Sequence, residues 1–282
     1  MPRKVYRIIV NLLTHIFTAF SLFASCCTLH AQLSLEPTGA RAAGMGNIIT
    51  MQTDVWAAVN NPAGLGMLTG AAVGISHEQR FTMQEMGVST IAGAFPLWGN
   101  GVGCSLSNFG FTDFGENRFG IAAGRQLSPY MAVGVSVDGH LMRFPGEYKN
   151  LFAINGNAGV WAMPAKNFTL GLHIFNLTFS KWNDYEKTKL PVIFSLGAGY
   201  SLAAPVQLLA EISKNIYEAA RIKAGTEFII GKALYLRTGI ITQPFEIHFG
   251  LGYTYKKFLF DAALSRHPVL GYTSQAAINI SL

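Results

Sequence analysis

The sequence predicts an all-β protein, a transmembrane antiparallel β-barrel of about fourteen strands. Three observations point there. Apolar and polar residues alternate one by one through most of the chain, charge is scarce at 13% against 50% hydrophobic, and tight connections alternate with longer ones. Period-two patterning marks strands with one face apolar and one polar, and a low-charge chain needs an apolar solvent for the outer face.

The chain opens on a basic start, Arg3, Lys4 and Arg7, followed by an apolar stretch from Ile8 to Leu29 and the small residue Ala31 before Gln32. This order reads as an export signal. Two other readings stay open. The stretch is long enough to span a membrane as a helix, although Asn11, Thr14 and His15 dilute it, and Phe23-Ala24-Ser25-Cys26 loosely resembles a lipobox. Cleavage after Ala31 leaves 18 of the 21 basic residues against 15 acidic ones, a net charge of +3. That charge is dispersed, without the basic stripe that nucleic acid selects, so a nucleic-acid partner is excluded. Cys26 and Cys27 leave with the signal, and the remaining Cys104 makes neither an intrachain disulfide nor a cysteine metal site.

Before the first strand runs Gly39-Ala40-Arg41-Ala42-Ala43-Gly44-Met45-Gly46, small and flexible, and then Asp54 to Leu65, which holds Asn61-Pro62-Ala63-Gly64. Proline fixes one backbone angle, glycine permits tight turns, and asparagine bonds nearby backbone, so the segment can fold back into a barrel without regular structure. An ordinary linker is the alternative.

Fourteen strands are predicted near residues 71–80, 85–96, 101–110, 116–127, 130–142, 150–163, 167–178, 191–202, 206–214, 220–230, 233–242, 245–255, 258–266 and 272–282. Two windows without Asp, Glu, Lys or Arg, Gly87 to Thr112 and Leu190 to Ala210, invite a helical reading. Pro96, Pro191 and Pro205 and residue-by-residue alternation argue against it. The pattern is clearest late in the chain, where Phe245, Ile247, Phe249, Leu251, Tyr253 and Tyr255 oppose Glu246, His248, Gly250, Gly252 and Thr254. Tight connections such as Ser128-Pro129, Gly231-Lys232 and Lys256-Lys257 alternate with longer ones near 111–115, 143–149 and 179–190. Short turns at one rim and longer loops at the other are the outer-membrane pattern, and an even strand count returns both termini to the periplasmic side. Cys104 shares the parity of Val102 and Leu106, which places it on the lipid face.

The same parity turns Glu211, Arg221, Lys223, Glu227, Arg237, Glu246, His248 and Asp261 inward. Both signs fall on adjacent strands, as expected for a ladder of ion pairs that fills the lumen; a polar path or ligand site is the alternative. Other chemistry is missing from the pattern. The seven histidines lack close metal-ligand spacing, Gly44-Met45-Gly46 and Gly250-Leu251-Gly252 lack the third glycine of a dinucleotide loop, and no nucleophile elbow or phosphate loop occurs. The sequence therefore predicts no enzyme, no cofactor and no metal.

The glycine run followed by Asn61-Pro62-Ala63-Gly64, ahead of fourteen alternating segments, resembles the hatch of FadL and PorV type outer-membrane proteins. The resemblance covers about Gly39 to Leu282. It implies a lumenal hatch with Gly44, Gly46, Asn61, Pro62, Ala63 and Gly64 as its motif residues, and a division into a signal peptide (1–31), a hatch (32–70) and a barrel (71–282) in the bacterial outer membrane. Three departures stand out: the chain is short for these relatives, a single Asp54 replaces the usual acidic pair, and the last residue is Leu282 rather than an aromatic. Short loops do not build a deep extracellular pocket, so the expected role is a PorV-like accessory or scaffold of type IX protein secretion, with secretion-system proteins as partners. The alternative is a FadL-like channel for a small hydrophobic compound. Mass spectrometry of the protein from outer membranes is expected to give a chain beginning at Gln32; an intact chain in the inner membrane would overturn the export reading.

Overall fold

The computed structural model describes residues 36–111, 114–146, 149–182, 190–203 and 205–282, so the expected signal peptide lies outside the described residues. Fourteen strands form: β1 (Ala72–Gln79), β2 (Gly87–Leu97), β3 (Asn100–Gly110), β4 (Gly115–Ser128), β5 (Met131–Arg143), β6 (Leu151–Ala165) and β7 (Phe168–Phe175). The second half comprises β8 (Ile193–Ala203), β9 (Val206–Asn215), β10 (Arg221–Ile230), β11 (Leu234–Ile241), β12 (Glu246–Tyr255), β13 (Phe258–His267) and β14 (Gly271–Ser281). Each pairs antiparallel with its sequence neighbours, and β1 closes on β14 from Ala72↔Ser281 to Gln79↔Ser274. The result is a closed fourteen-strand antiparallel barrel without a free edge.

The three prolines that argued against helices fall at strand ends. Pro96 lies next to last in β2, Pro191 precedes β8, and Pro205 sits in the β8–β9 turn. There a missing N–H costs no ladder bond in mid-sheet. Turns follow local chemistry in the same way: Trp98 and Gly99, between β2 and β3, both take positive φ, at 49° and 74°. Two successive positive φ values give the turn whose twist matches a two-residue hairpin.

Departures from the expected boundaries have local causes. β7 stops at Phe175 rather than 178 because Asn176 takes a φ of 56° and turns its side chain inward, where it donates to the Leu190 carbonyl. β2 begins at Gly87, after two 3-10 turns at Arg80–Thr82 and Gln84–Met86 occupy the β1–β2 loop.

Side chains sort by parity as the alternation predicts. Ile75, Leu106, Ile121, Val137, Phe249 and Leu251 are each more than half exposed on the outer surface, and Cys104 is exposed beside them. Gly250, Gly252 and His248 point inward and are buried. No helix among the described residues is long and apolar enough to cross a membrane.

The barrel is filled by the segment from Glu36 to Ala71. It contains a short helix α1 (Ala40–Gly44) and two 3-10 turns, Val55–Ala58 and Pro62–Met67. The helix lies against β11 to β14, the first turn against β1 to β4, and the second against β3 to β6. Glu36 sits inside the barrel beside Arg221, at the start of β10, with Oε1 3.4 Å from Nη1.

Placing Arg at Phe249 is expected to destabilise the protein in bilayers by about 2–4 kcal/mol, as for a charge on a lipid face near the midplane. Parity alone would make Gly252 the inward control, but a Cβ there would meet Asp261 Oδ1 at 2.6 Å and Arg237 Nη1 at 2.9 Å. Thr254, inward and nearer the tight-turn rim, is the sounder control, with an expected cost for Thr254→Arg below about 1 kcal/mol. Equal penalties in urea titrations of vesicle-embedded protein would show the faces to be misassigned.

Candidate functional site

The Glu36–Ala71 segment and the wall around it are the candidate site. Three clamps fix the first half of the segment to β9–β13. Glu211 on β9 and Lys223 on β10 are register partners, and their side chains meet at 2.8 Å. The other Glu211 oxygen accepts the backbone N–H groups of Ile49 and Thr50, at 2.9 and 3.0 Å, and the Thr50 hydroxyl at 3.0 Å. Lys223 Nζ also donates to the Asn47 carbonyl at 2.7 Å. One buried ion pair thereby holds a turn that has no regular structure of its own.

A second clamp centres on Glu227. Its carboxylate accepts Arg41 of α1 through two nitrogens, at 3.0 and 3.2 Å, and Arg237 Nε at 2.6 Å. Arg237 continues to Asp261 at 2.6 Å, and Asn279 donates to the other Asp261 oxygen at 3.1 Å. Arg237 crosses β12 to do so, over Gly252, the register partner of Asp261. Burial disfavours the charge on Arg41, but the carboxylates of Glu227 and Asp54 outweigh it and hold the guanidinium firmly protonated.

The third clamp is His248, whose Nδ1 lies 2.8 Å from the Ala43 carbonyl, with Glu246 Oε2 3.4 Å from Nε2. The eight residues that parity turns inward fall into four ion-paired groups: Lys223 with Glu211, Glu227 with Arg237 and Asp261, Arg221 with Glu36 and Glu218, and Glu246 with His248.

The motif Asn61-Pro62-Ala63-Gly64 is placed differently from a plug anchored on Arg221, Lys223, Arg237 or Glu246. Asn61 Oδ1 accepts the Ala63 N–H at 3.2 Å and caps the turn, with Pro62 in its first position where no donor is needed. Asn61 Nδ2 donates to the Thr50 carbonyl and lies 3.4 Å from the Leu172 carbonyl of β7. Ala63 and Gly64 are buried, and a Cβ on Gly64 would overlap the Gln52 carbonyl. The polar wall residues of β9–β13, Glu211, Arg221, Lys223, Glu227 and His248, meet residues 36–50 instead, whereas the motif lies against β3–β6. Gly44 and Gly46 also meet wall backbone, at Gly250 and Ile240.

Sequence reasoning missed two features. On β4–β6 a second polar set faces inward: Arg118 donates to Asp138 at 2.7 Å and to the Val59 carbonyl at 3.4 Å, and Asn157 donates to Asp138 at 2.7 Å. Nearby, the buried His140 ring places its nitrogens 2.8 Å from Glu116 and 2.8 Å from Asn155, edge-on to Phe175 and Trp182. The other feature is close approach. Inward wall glycines, among them Gly159 and Gly171, sit so near the segment that a Cβ would overlap the Asn61 side chain or the Thr50 backbone. Only the segment's path shows why these positions carry no side chain.

The second half of the segment is held by apolar contact. Val55, Trp56, Ala57, Ala58 and Leu65 pack with Ala92 and Ala94 of β2, Ala122 of β4 and Ala277 of β14. Trp56 is completely buried. Among the described residues no group of three or more His, Cys, Asp or Glu is arranged to hold a metal.

No family model matches the chain, and no curated protein does. Its fold is similar to that of the Ralstonia pickettii toluene transporter TbuX, with a TM-score of 0.67 at 11% identity over 89% of this chain and 100% of that one. It is similar as well to the Pseudomonas putida toluene transporter TodX, with a TM-score of 0.61 at 14% identity over 87% and 96% of the two chains. A Pseudomonas aeruginosa FadL homologue gives 0.65 at 10% identity over 86% and 98%. At identities this low, the TM-scores establish a shared fold alone, the FadL-type barrel.

Two substitutions separate the clamps from the barrel itself. Asn61→Ala removes one cap and one buried donor and is expected to loosen the segment by about 1–3 kcal/mol. Glu211→Gln leaves Lys223 buried without its counter-charge and is expected to cost about 3–5 kcal/mol. Both variants are expected to keep a heat-modifiable barrel on gels while residues 36–71 become protease-sensitive. Rapid cleavage of that segment in the unaltered folded protein would contradict its buried placement.

Proposed function

We propose that the chain is an outer-membrane channel for a small hydrophobic compound, with residues 71–282 as the barrel, 32–70 as its hatch and 1–31 as its export signal. One observation carries this: the barrel shares its fold, over nearly the full length of both partners, with two toluene transporters. The interior supports it. Where the segment crosses β1–β4 it is held by apolar side chains against alanines, and an apolar solute competes for such contacts in a way that it cannot compete for ion pairs. The apolar outer surface fits a lipid environment, and the tight-turn rim faces the periplasm in this reading.

The PorV-like secretion role expected from the short loops has no counterpart among these structural neighbours. One observation keeps it as a second reading: the lumen along β9–β13 is packed and ion-paired, as in a scaffold rather than an open tunnel.

Uptake of radiolabelled toluene by cells producing the chain separates the two. Accumulation several-fold faster than in cells with the empty vector is expected. Equal rates, with the barrel folded in the outer membrane and a stoichiometric protein partner co-purifying, would replace the channel by the scaffold.

A further inference from the structure

The tight-turn rim carries a charge pattern that neither the lumen nor the other rim shares. Five basic side chains lie there: Arg125 near the end of β4, Lys166 between β6 and β7, Lys232 between β10 and β11, and Lys256 and Lys257 between β12 and β13. All five are exposed. No Asp or Glu occurs in the six tight connections, residues 98–99, 129–130, 166–167, 204–205, 231–233 and 256–257. At the opposite rim signs are mixed, as with Arg80 and Glu78, at 3.0 Å, or Arg221 and Glu218, at 3.6 Å.

We propose that this rim binds the anionic phospholipid headgroups of the surrounding leaflet around its perimeter. The proposal takes from the preceding section only that the barrel sits in a membrane. Three features favour lipid over a protein partner. First, the charges are distributed over four places on the ring rather than gathered on one face, which suits an annulus of small anions. Second, aromatic side chains stand at the same level: Trp98 and Tyr130 are in the turns and exposed, and Tyr255 ends β12. Such rings sit at headgroup depth in a bilayer. Lys256 Nζ lies 5.3 Å from the centroid of the Tyr255 ring, so ring and ammonium share one depth. Third, the connections are too short to carry the ammonium groups away from the surface. Lysine stems of this length bury their methylenes beside the aromatic band and place the charge at the phosphates, well inside the distance of about 8 Å over which salt screens it.

The test uses the full protein in bilayers of phosphatidylcholine with spin-labelled phosphatidylglycerol or spin-labelled phosphatidylcholine as the probe. Electron paramagnetic resonance gives the relative association of the two with the barrel. The wild type is expected to prefer phosphatidylglycerol about two- to five-fold, with the preference falling as salt is raised. The fourfold variant Lys166→Gln, Lys232→Gln, Lys256→Gln and Lys257→Gln, which keeps only Arg125 of the five, is expected to lose most of it. Lys214→Gln with Arg266→Gln, at the opposite end of the barrel, is expected to keep it. Heat modifiability on gels confirms that each variant is folded, and the single Lys166→Gln and Lys232→Gln variants provide intermediate points should the fourfold variant fail to fold. Equal association of both lipids with the wild type, or an undiminished preference in folded lysine variants, would overturn the proposal. So would loss from those variants of a bound acidic periplasmic protein without any change in lipid preference. Toluene uptake is read separately, so this inference and the channel reading fail independently.

Discussion

Everything in this structure follows from the demand that a sheet surrounded by hydrocarbon leave no backbone group unpaired. A soluble sheet can end in an edge that water satisfies; here β1 must find β14, and eight residue pairs from Ala72↔Ser281 to Gln79↔Ser274 close the ring. Closure then fixes the side chains. With one face given to lipid, every polar residue of the alternation is committed to an interior of limited volume, where each charge needs a partner or water.

The two sides of the wall meet that demand by different means. On β9–β13 the register itself places Lys223 opposite Glu211 and Glu227 opposite Arg237, so pairs form across neighbouring strands. Arg237 reaches Asp261 two strands away because the intervening position, Gly252, has no side chain. These carboxylates have acceptor capacity left over, and Glu211 and Glu227 spend it on the backbone of Ile49 and Thr50 and on Arg41. On β1–β7 the wall combines alanine, glycine and serine with the polar set of Arg118, Asp138 and Asn157, and the segment meets it with Trp56, Leu65, Asn61 and its own backbone, the Val59 carbonyl accepting from Arg118.

What the sequence revealed follows the same division. All fourteen strands were legible, and the faces of the late ones with them, because burial on one side and lipid on the other impose a two-residue period. The eight charged or polar residues of β9–β13 were legible as inward for that reason. Their partners were not, since Asn47, Thr50 and Ala43 belong to a segment without periodicity, and only a folded path brings them within hydrogen-bond distance. Asn61 shows the limit most clearly. Its role as a cap could be read from the proline that follows it, but its contacts with Thr50 and with β7 depend on where the segment crosses the wall. Glu116, Arg118, Asp138 and His140 went unnoticed although they too sit at inward parity: each strand carries only two of them in succession, followed on β4 by Gly120 and Gly124 and preceded on β5 by Ser136, so no long run of charges stands out.

The halves of the lumenal segment are therefore sensitive to different agents. Residues 36–50 are tied by charge-assisted hydrogen bonds that strengthen as water is excluded and weaken when a carboxylate is lost. Residues 55–67 are tied largely by apolar area and shape, to which an apolar solute is not indifferent, with the Asn61 amide and the Arg118 bond to the Val59 carbonyl as their polar ties. Asp54 stands at the junction, with one oxygen capping the turn through the Trp56 N–H and the other 3.4 Å from Arg41. Asp54 and Arg41 thus join the two halves by an ion pair, beside the hydrogen bonds of Asn60 to the Thr38 carbonyl and of Asn61 to the Thr50 carbonyl, so the apolar half is not free of polar restraint.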